Sequence, residues 1–91
     1  MRPLAQAVPG AVAELLRGAP LSDGKVAFAW KVAVGPAMER ATAIKLDGTT
    51  LLVEVPSAQW AREITRSSGV ILARLRTLLG PETVGEIKVR T

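Results

Sequence analysis

The stretch Ile44-Lys45-Leu46-Asp47-Gly48-Thr49-Thr50-Leu51-Leu52-Val53-Glu54-Val55-Pro56-Ser57 decides the fold. Apolar residues alternate on both sides of Asp47-Gly48, and alternation over a few residues marks a half-buried strand. Gly48 supplies the positive φ that a tight hairpin turn needs. The stretch therefore predicts two antiparallel strands, Thr42 to Leu46 and Leu51 to Val55. Ile44 and Leu46 share one face, as do Leu51, Val53 and Val55, while Lys45, Leu52 and Glu54 point the other way. Such a pattern belongs to a sheet with one face covered and one open. Pro56-Ser57 stops the second strand, and Ser57 is well suited to cap a helix.

Toward the carboxyl end, Trp60, Ile64, Ile71, Leu72, Leu75, Leu78 and Leu79 form an apolar stripe. It predicts a long helix from Ser57 to about Leu79. Ser67-Ser68-Gly69 interrupts the stripe, which leaves open a kink, a looser turn or a small-residue contact with another element. Gly80-Pro81 ends the helix. Val84 to Arg90 then predicts a third strand, with Ile87 and Val89 on one face and Lys88 and Arg90 on the other. A strand reached through a helical crossover runs parallel to the one before it. The sheet order becomes one-two-three, with Leu51 to Val55 in the centre.

Toward the amino end, Val26, Trp30, Ala33, Val34, Ala37 and Ala41 line one face of a helix capped by Ser22. It reaches about Arg40. At Gly35-Pro36 it either bends or restarts with Pro36 at a first helical position, and a kink is expected there. Leu4, Val8, Val12, Leu15 and Leu16 predict an earlier helix, Leu4 to Arg17, disturbed at its front by Pro9-Gly10. The order is α-α-β-β-α-β: an α+β two-layer domain with a three-stranded mixed sheet and helices on one face. With 91 residues the chain is a single domain over 1–91, with its core in about 10–90.

Composition removes several classes of function. The chain has no Cys and no His, so it lacks thiolate metal sites, disulfides and the commonest general base near neutral pH. No glycine-rich phosphate loop occurs. Glu14, Glu39, Glu63 and Glu82 are scattered without paired partners. No catalytic residue, metal ligand or cofactor is assigned, and the chain is expected not to be an enzyme. No apolar run reaches the length of a membrane span, and Met1-Arg2-Pro3-Leu4-Ala5 lacks the apolar region of a signal peptide. The cytoplasm is the default location.

Twelve Lys and Arg against eight Asp and Glu give a net charge of +4, which favours a polyanion or an acidic protein face as partner. The candidate nucleic-acid-binding residues are Lys45, Lys88 and Arg90 on the open sheet face, together with Arg62 and Arg66 at the start of the long helix. Leu52 adds an apolar spot to that face. The competing account is a solvated surface balanced by Glu39, Glu63 and Glu86, where exposed pairs contribute little. Lys25, Lys31 and Arg40 lie on the second helix, and Arg74 and Arg76 follow farther along the long one. Trp30 and Trp60 lie within apolar stripes and are expected to anchor the core, burying about 150–250 Å² each, rather than to stack on bases.

These residues also form an ordered pattern. Trp30-x-x-x-x-Gly35-Pro36, then Thr42, is followed by Asp47-Gly48-x-x-Leu51-x-Val53-x-Val55 and Ser57-x-x-Trp60-Ala61-x-Glu63-Ile64. Leu75-x-x-Leu78-Leu79-Gly80 and Val84-x-x-Ile87-x-Val89 complete it. The whole resembles the DciA family, long catalogued as a domain of unknown function, over roughly residues 10 to 90. The resemblance implies a K-homology-like domain of the prokaryotic type. It further implies a bacterial adaptor that works with the replicative DNA helicase and helps load it onto single-stranded DNA. Trp30, Gly35 and Trp60 match positions that would be structural. The GxxG loop of K-homology modules is missing, and the basic extension of many family members is nearly so. Two alternatives stay open: an RNA-binding K-homology-like module, and a protein-interaction domain without nucleic-acid affinity. The oligomeric state is also open, with a monomer as the default.

Overall fold

The computed structural model describes Gly18 and residues 20–91. The expected helix Leu4 to Arg17 lies outside the described residues. Helix α1, Asp23–Val34, begins where the Ser22 hydroxyl accepts the Lys25 N–H at 3.1 Å. Asp23 in its first turn complements the positive end of the helix dipole. The helix stops at Gly35, whose φ of 88° and ψ of 166° fall in a region open essentially to glycine. Helix α2, Pro36–Ala41, follows at once with Pro36 as its first residue. Of the two alternatives at Gly35-Pro36, a fresh start is the one realised.

Strands β1, Ala43–Asp47, and β2, Thr50–Glu54, form the hairpin. Each lies one residue closer to the turn than expected. Asp47 pairs with Thr50, so the loop contains only Gly48 and Thr49. Gly48, with φ of 61°, occupies the first central position, as a type II′ turn requires. Pairing therefore runs up to the loop itself. Helix α3, Ala58–Leu79, is capped by the Ser57 hydroxyl, which accepts the Trp60 N–H at 3.3 Å. It runs unbroken for 22 residues through Ser67-Ser68-Gly69. Among the described residues a Cβ added at Gly69 would meet nothing within 4 Å, so the helix is not broken there and no close contact with them explains this glycine. Strand β3, Glu86–Arg90, begins two residues later than expected, although Val84 is fully buried ahead of it.

The sheet order is β1-β2-β3, antiparallel then parallel. The central strand contributes Leu51 and Val53, both inaccessible to solvent. Against them pack Ala29, Trp30 and Ala33 of α1 and Ile64, Leu75 and Leu78 of α3. The sheet is thus covered on one face and open on the other, which fixes where every polar side chain of β1, β2 and β3 must point.

Candidate nucleic-acid interface

The open face can be read row by row from the strand register. Lys45, Leu52 and Lys88 form the central row, one residue from each strand. Ala43, Glu54 and Arg90 form the row at one end, and Asp47, Thr50 and Glu86 the row at the other. The Thr50 hydroxyl donates to Glu86 Oε1 at 3.1 Å. Lys45, Lys88 and Arg90 are exposed, and Leu52 is half-buried between the two lysines. The face is not uniformly positive, because Asp47, Glu54 and Glu86 match the three cations. The cations lie at the centre and at the Arg90 end, where Glu54 is the neighbour of Arg90, and away from Asp47 and Glu86.

Arg62 and Arg66 do not join this cluster. Both are exposed and flank Ile64, which is fully buried under the helix. Two residues in either direction along a helix is a rotation of about 200°, so both arginines point away from the sheet. They occupy the opposite surface of the two-layer domain. Arg66 also meets Glu63 at 3.5 Å on that exposed side. The five candidate residues therefore form two groups: Lys45, Lys88 and Arg90 on the sheet, and Arg62 and Arg66 on the helical layer. With the open face balanced, the surplus positive charge of the described residues resides on the helical layer.

Two polar residues hold the frame in ways the sequence did not reveal. Trp30 is 2% exposed, and its Nε1–H donates to Thr42 Oγ1 at 2.8 Å. The Thr42 hydroxyl in turn donates to the Met38 carbonyl at 2.8 Å. This relay ties α1 to the end of α2. Arg74, half-buried, donates from Nη1 to the Ala33 carbonyl at 2.8 Å. A guanidinium at the carboxyl end of α1 satisfies an orphan carbonyl and complements the dipole. Arg74 is thus a tie between helices rather than a surface cation. No sequence signal marks either contact, since each joins residues distant in the chain.

Trp60 differs from Trp30. It packs against the core but remains half-buried, and it lines a surface depression with Ser57, Gln59 and Glu63. The expectation that both indoles are enclosed holds for Trp30 and only in part for Trp60. Trp60 lies in the first turn of α3, next to the Ser57 cap.

Among the described residues no group of three or more His, Cys, Asp or Glu could hold a metal ion. No helix among them is long and apolar enough to cross a membrane. The architecture defines a class: a small α+β domain that presents its charged groups on two outer surfaces.

The chain belongs to the DciA family. The model of that family, described as Dna[CI] antecedent, DciA, matches residues 3–89, nearly its full length. No curated protein and no solved structure matches the chain.

Proposed function

We propose that this domain is a non-enzymatic adaptor of DNA replication. It engages the bacterial replicative DNA helicase, contacts single-stranded DNA weakly, and assists helicase loading. Family membership over residues 3–89 is the observation that carries the helicase part. The DNA part is supported by Lys45, Lys88 and Arg90, exposed together on the open face around Leu52. Contacts from such side chains to phosphates position a strand without selecting bases.

The size of the cluster limits the strength of binding. Three cations neutralise about three phosphates, which gives a salt slope of about −2 and roughly a 20-fold loss of affinity between 50 and 200 mM salt. Titration of a labelled oligothymidylate at both salt concentrations measures this directly. The combined variant Lys45→Ala, Lys88→Ala, Arg90→Ala is expected to remove most of the slope. The variant Arg62→Ala, Arg66→Ala is expected to leave it unchanged. A slope that follows Arg62 and Arg66 instead, or binding indifferent to salt, contradicts the sheet-face site. Co-purification of the full chain with its replicative helicase tests the other half, and no association would refute it.

The balanced charge of the open face favours one alternative, a protein-interaction domain without nucleic-acid affinity. No binding to the oligonucleotide at 50 mM salt selects it. An RNA-binding K-homology-like module gains no support from α3, which is continuous helix through Ser67-Ser68-Gly69 and offers no loop to clamp a backbone.

A further inference from the structure

Strand β3 is an edge, and its free backbone groups can be assigned. The Val55 N–H donates to the Arg90 carbonyl at 2.8 Å, and the Glu86 N–H donates to the Thr49 carbonyl at 3.4 Å. Glu86 is paired with Thr50 and Arg90 with Glu54 in parallel register. Backbone groups of successive strand residues point to opposite edges. Glu86, Lys88 and Arg90 therefore direct their N–H and C=O toward β2, and Ile87 and Val89 direct theirs outward. Among the described residues, nothing pairs with that outer edge.

Beside the edge runs a groove of about 220 Å³, lined by Ser68, Gly69 and Leu72 of α3 and by Gly85, Glu86 and Ile87. Its helical wall is low, because Gly69 has no side chain and none of the described residues occupies the place of one. Glycine in a helix interior costs roughly 1 kcal/mol relative to alanine, and no contact within the described domain compensates for it. The groove is apolar at Leu72 and Ile87, while Lys88 and Arg90 stand on the other side of the same strand.

We propose that the β3 edge accepts an extended segment of another protein as a fourth strand, with acidic residues alternating with apolar ones. The outward N–H and C=O of Ile87 and Val89 supply main-chain hydrogen bonds, as in other cases of strand addition. Side chains of the added strand alternate between faces. The apolar set enters the groove beside Leu72, and the acidic set lies beside Lys88 and Arg90. A second copy of this chain fits less well, because the net charge of +4 repels a like molecule and attracts an acidic segment. Side-chain pairing is not what opposes it: two β3 edges joined antiparallel through Ile87 and Val89 set Lys88 against its own counterpart but place Glu86 opposite Arg90 twice. The main-chain bonds and the groove belong to this site alone, whereas Lys88 and Arg90 are shared with the proposed phosphate contacts, so DNA and the added strand would compete for them.

The probe is a synthetic peptide, acetyl-Ser-Val-Asp-Val-Glu-Ile-Thr-amide, compared with a rearrangement of the same composition in which the acidic residues are adjacent. With the full chain, the alternating peptide is expected to bind and to slow amide hydrogen exchange at Ile87 and Val89, while the rearranged peptide does neither. Gly69→Gln, which fills the groove without crowding the core, is expected to weaken binding by about tenfold with no loss of thermal stability. Lys88→Glu is expected to weaken it similarly. Equal binding of both peptides, unchanged exchange at Ile87 and Val89, no binding at millimolar peptide, or concentration-dependent pairing of β3 edges in its place each overturns the proposal.

Discussion

Trp30 and Thr42 join α1 to the end of α2 through one partly buried hydrogen bond. The indole is enclosed, so its N–H cannot turn to water if Thr42 is lost. A buried donor left without a partner costs about 1–3 kcal/mol. Thr42→Val keeps the shape and removes the acceptor, so it is expected to lower unfolding free energy by that amount in urea titration. Thr42→Ser keeps the relay and is expected to lose much less. The two tryptophans also separate optically. Trp60→Phe leaves Trp30 alone, and its fluorescence is expected to resist acrylamide. In Trp30→Phe the remaining half-buried Trp60 is expected to be quenched more readily. Equal quenching of the two variants contradicts the difference in enclosure. At this scale the sequence identified Trp30 as a core anchor from its apolar stripe. Nothing in it identified Thr42, because a threonine acquires its role from whichever donor the fold brings to it.

At the scale of elements, α3 is the clearest case of global packing overriding a local irregularity. Ser67-Ser68-Gly69 lowers helix propensity near the middle, yet Ile64, Ile71, Leu75 and Leu78 bury one face on both sides of it. The helix continues because breaking it would expose that stripe. Gly69→Ala adds a methyl into open space and is expected to stabilise the domain by about 1 kcal/mol, a rise of about 4–8 °C in Tm. A fall in Tm would show that a contact at Gly69 matters to the isolated domain. Arg74 gives a second test, because it joins α3 to the last turn of α1. Arg74→Met retains much of the stem and removes the donor, and is expected to destabilise by roughly 1–2 kcal/mol. A surface cation such as Arg76, replaced in the same way, is expected to change unfolding free energy by less than about 0.5 kcal/mol. Helix limits, strand faces and the hairpin were legible from periodicity and turn chemistry. The one-residue displacement of β1 and β2 depended on which two residues formed the loop, and a local pattern does not encode that choice.

For the whole molecule, the consequence of a two-layer architecture is that charge is divided between opposite surfaces. Lys45, Lys88 and Arg90 share one surface, and Arg62 and Arg66 the other. A single short strand of DNA cannot lie on both surfaces at once. If binding uses the sheet, the salt slope therefore reports about three phosphates and not five. Chemical shift changes on adding oligothymidylate are expected at Lys45, Leu52 and Lys88, with Arg62 and Arg66 unmoved. Shifts confined to α3 would assign any DNA contact to the helical layer.

Alternation around Gly48, the spacing of the α3 stripe and the stops at Gly35-Pro36 and Gly80-Pro81 determined the elements, their order and the covered face. These are local quantities, fixed by backbone geometry and by the exclusion of apolar side chains from water. The family pattern was likewise present in the linear order of residues. Tertiary structure decided the rest: that Arg62 and Lys88 lie on opposite sides, that Thr42 meets Trp30, that Arg74 meets Ala33, and that among the described residues nothing pairs with the outer edge of β3. Those outcomes depend on distances between residues far apart in the chain, which only the packing of one layer on another establishes.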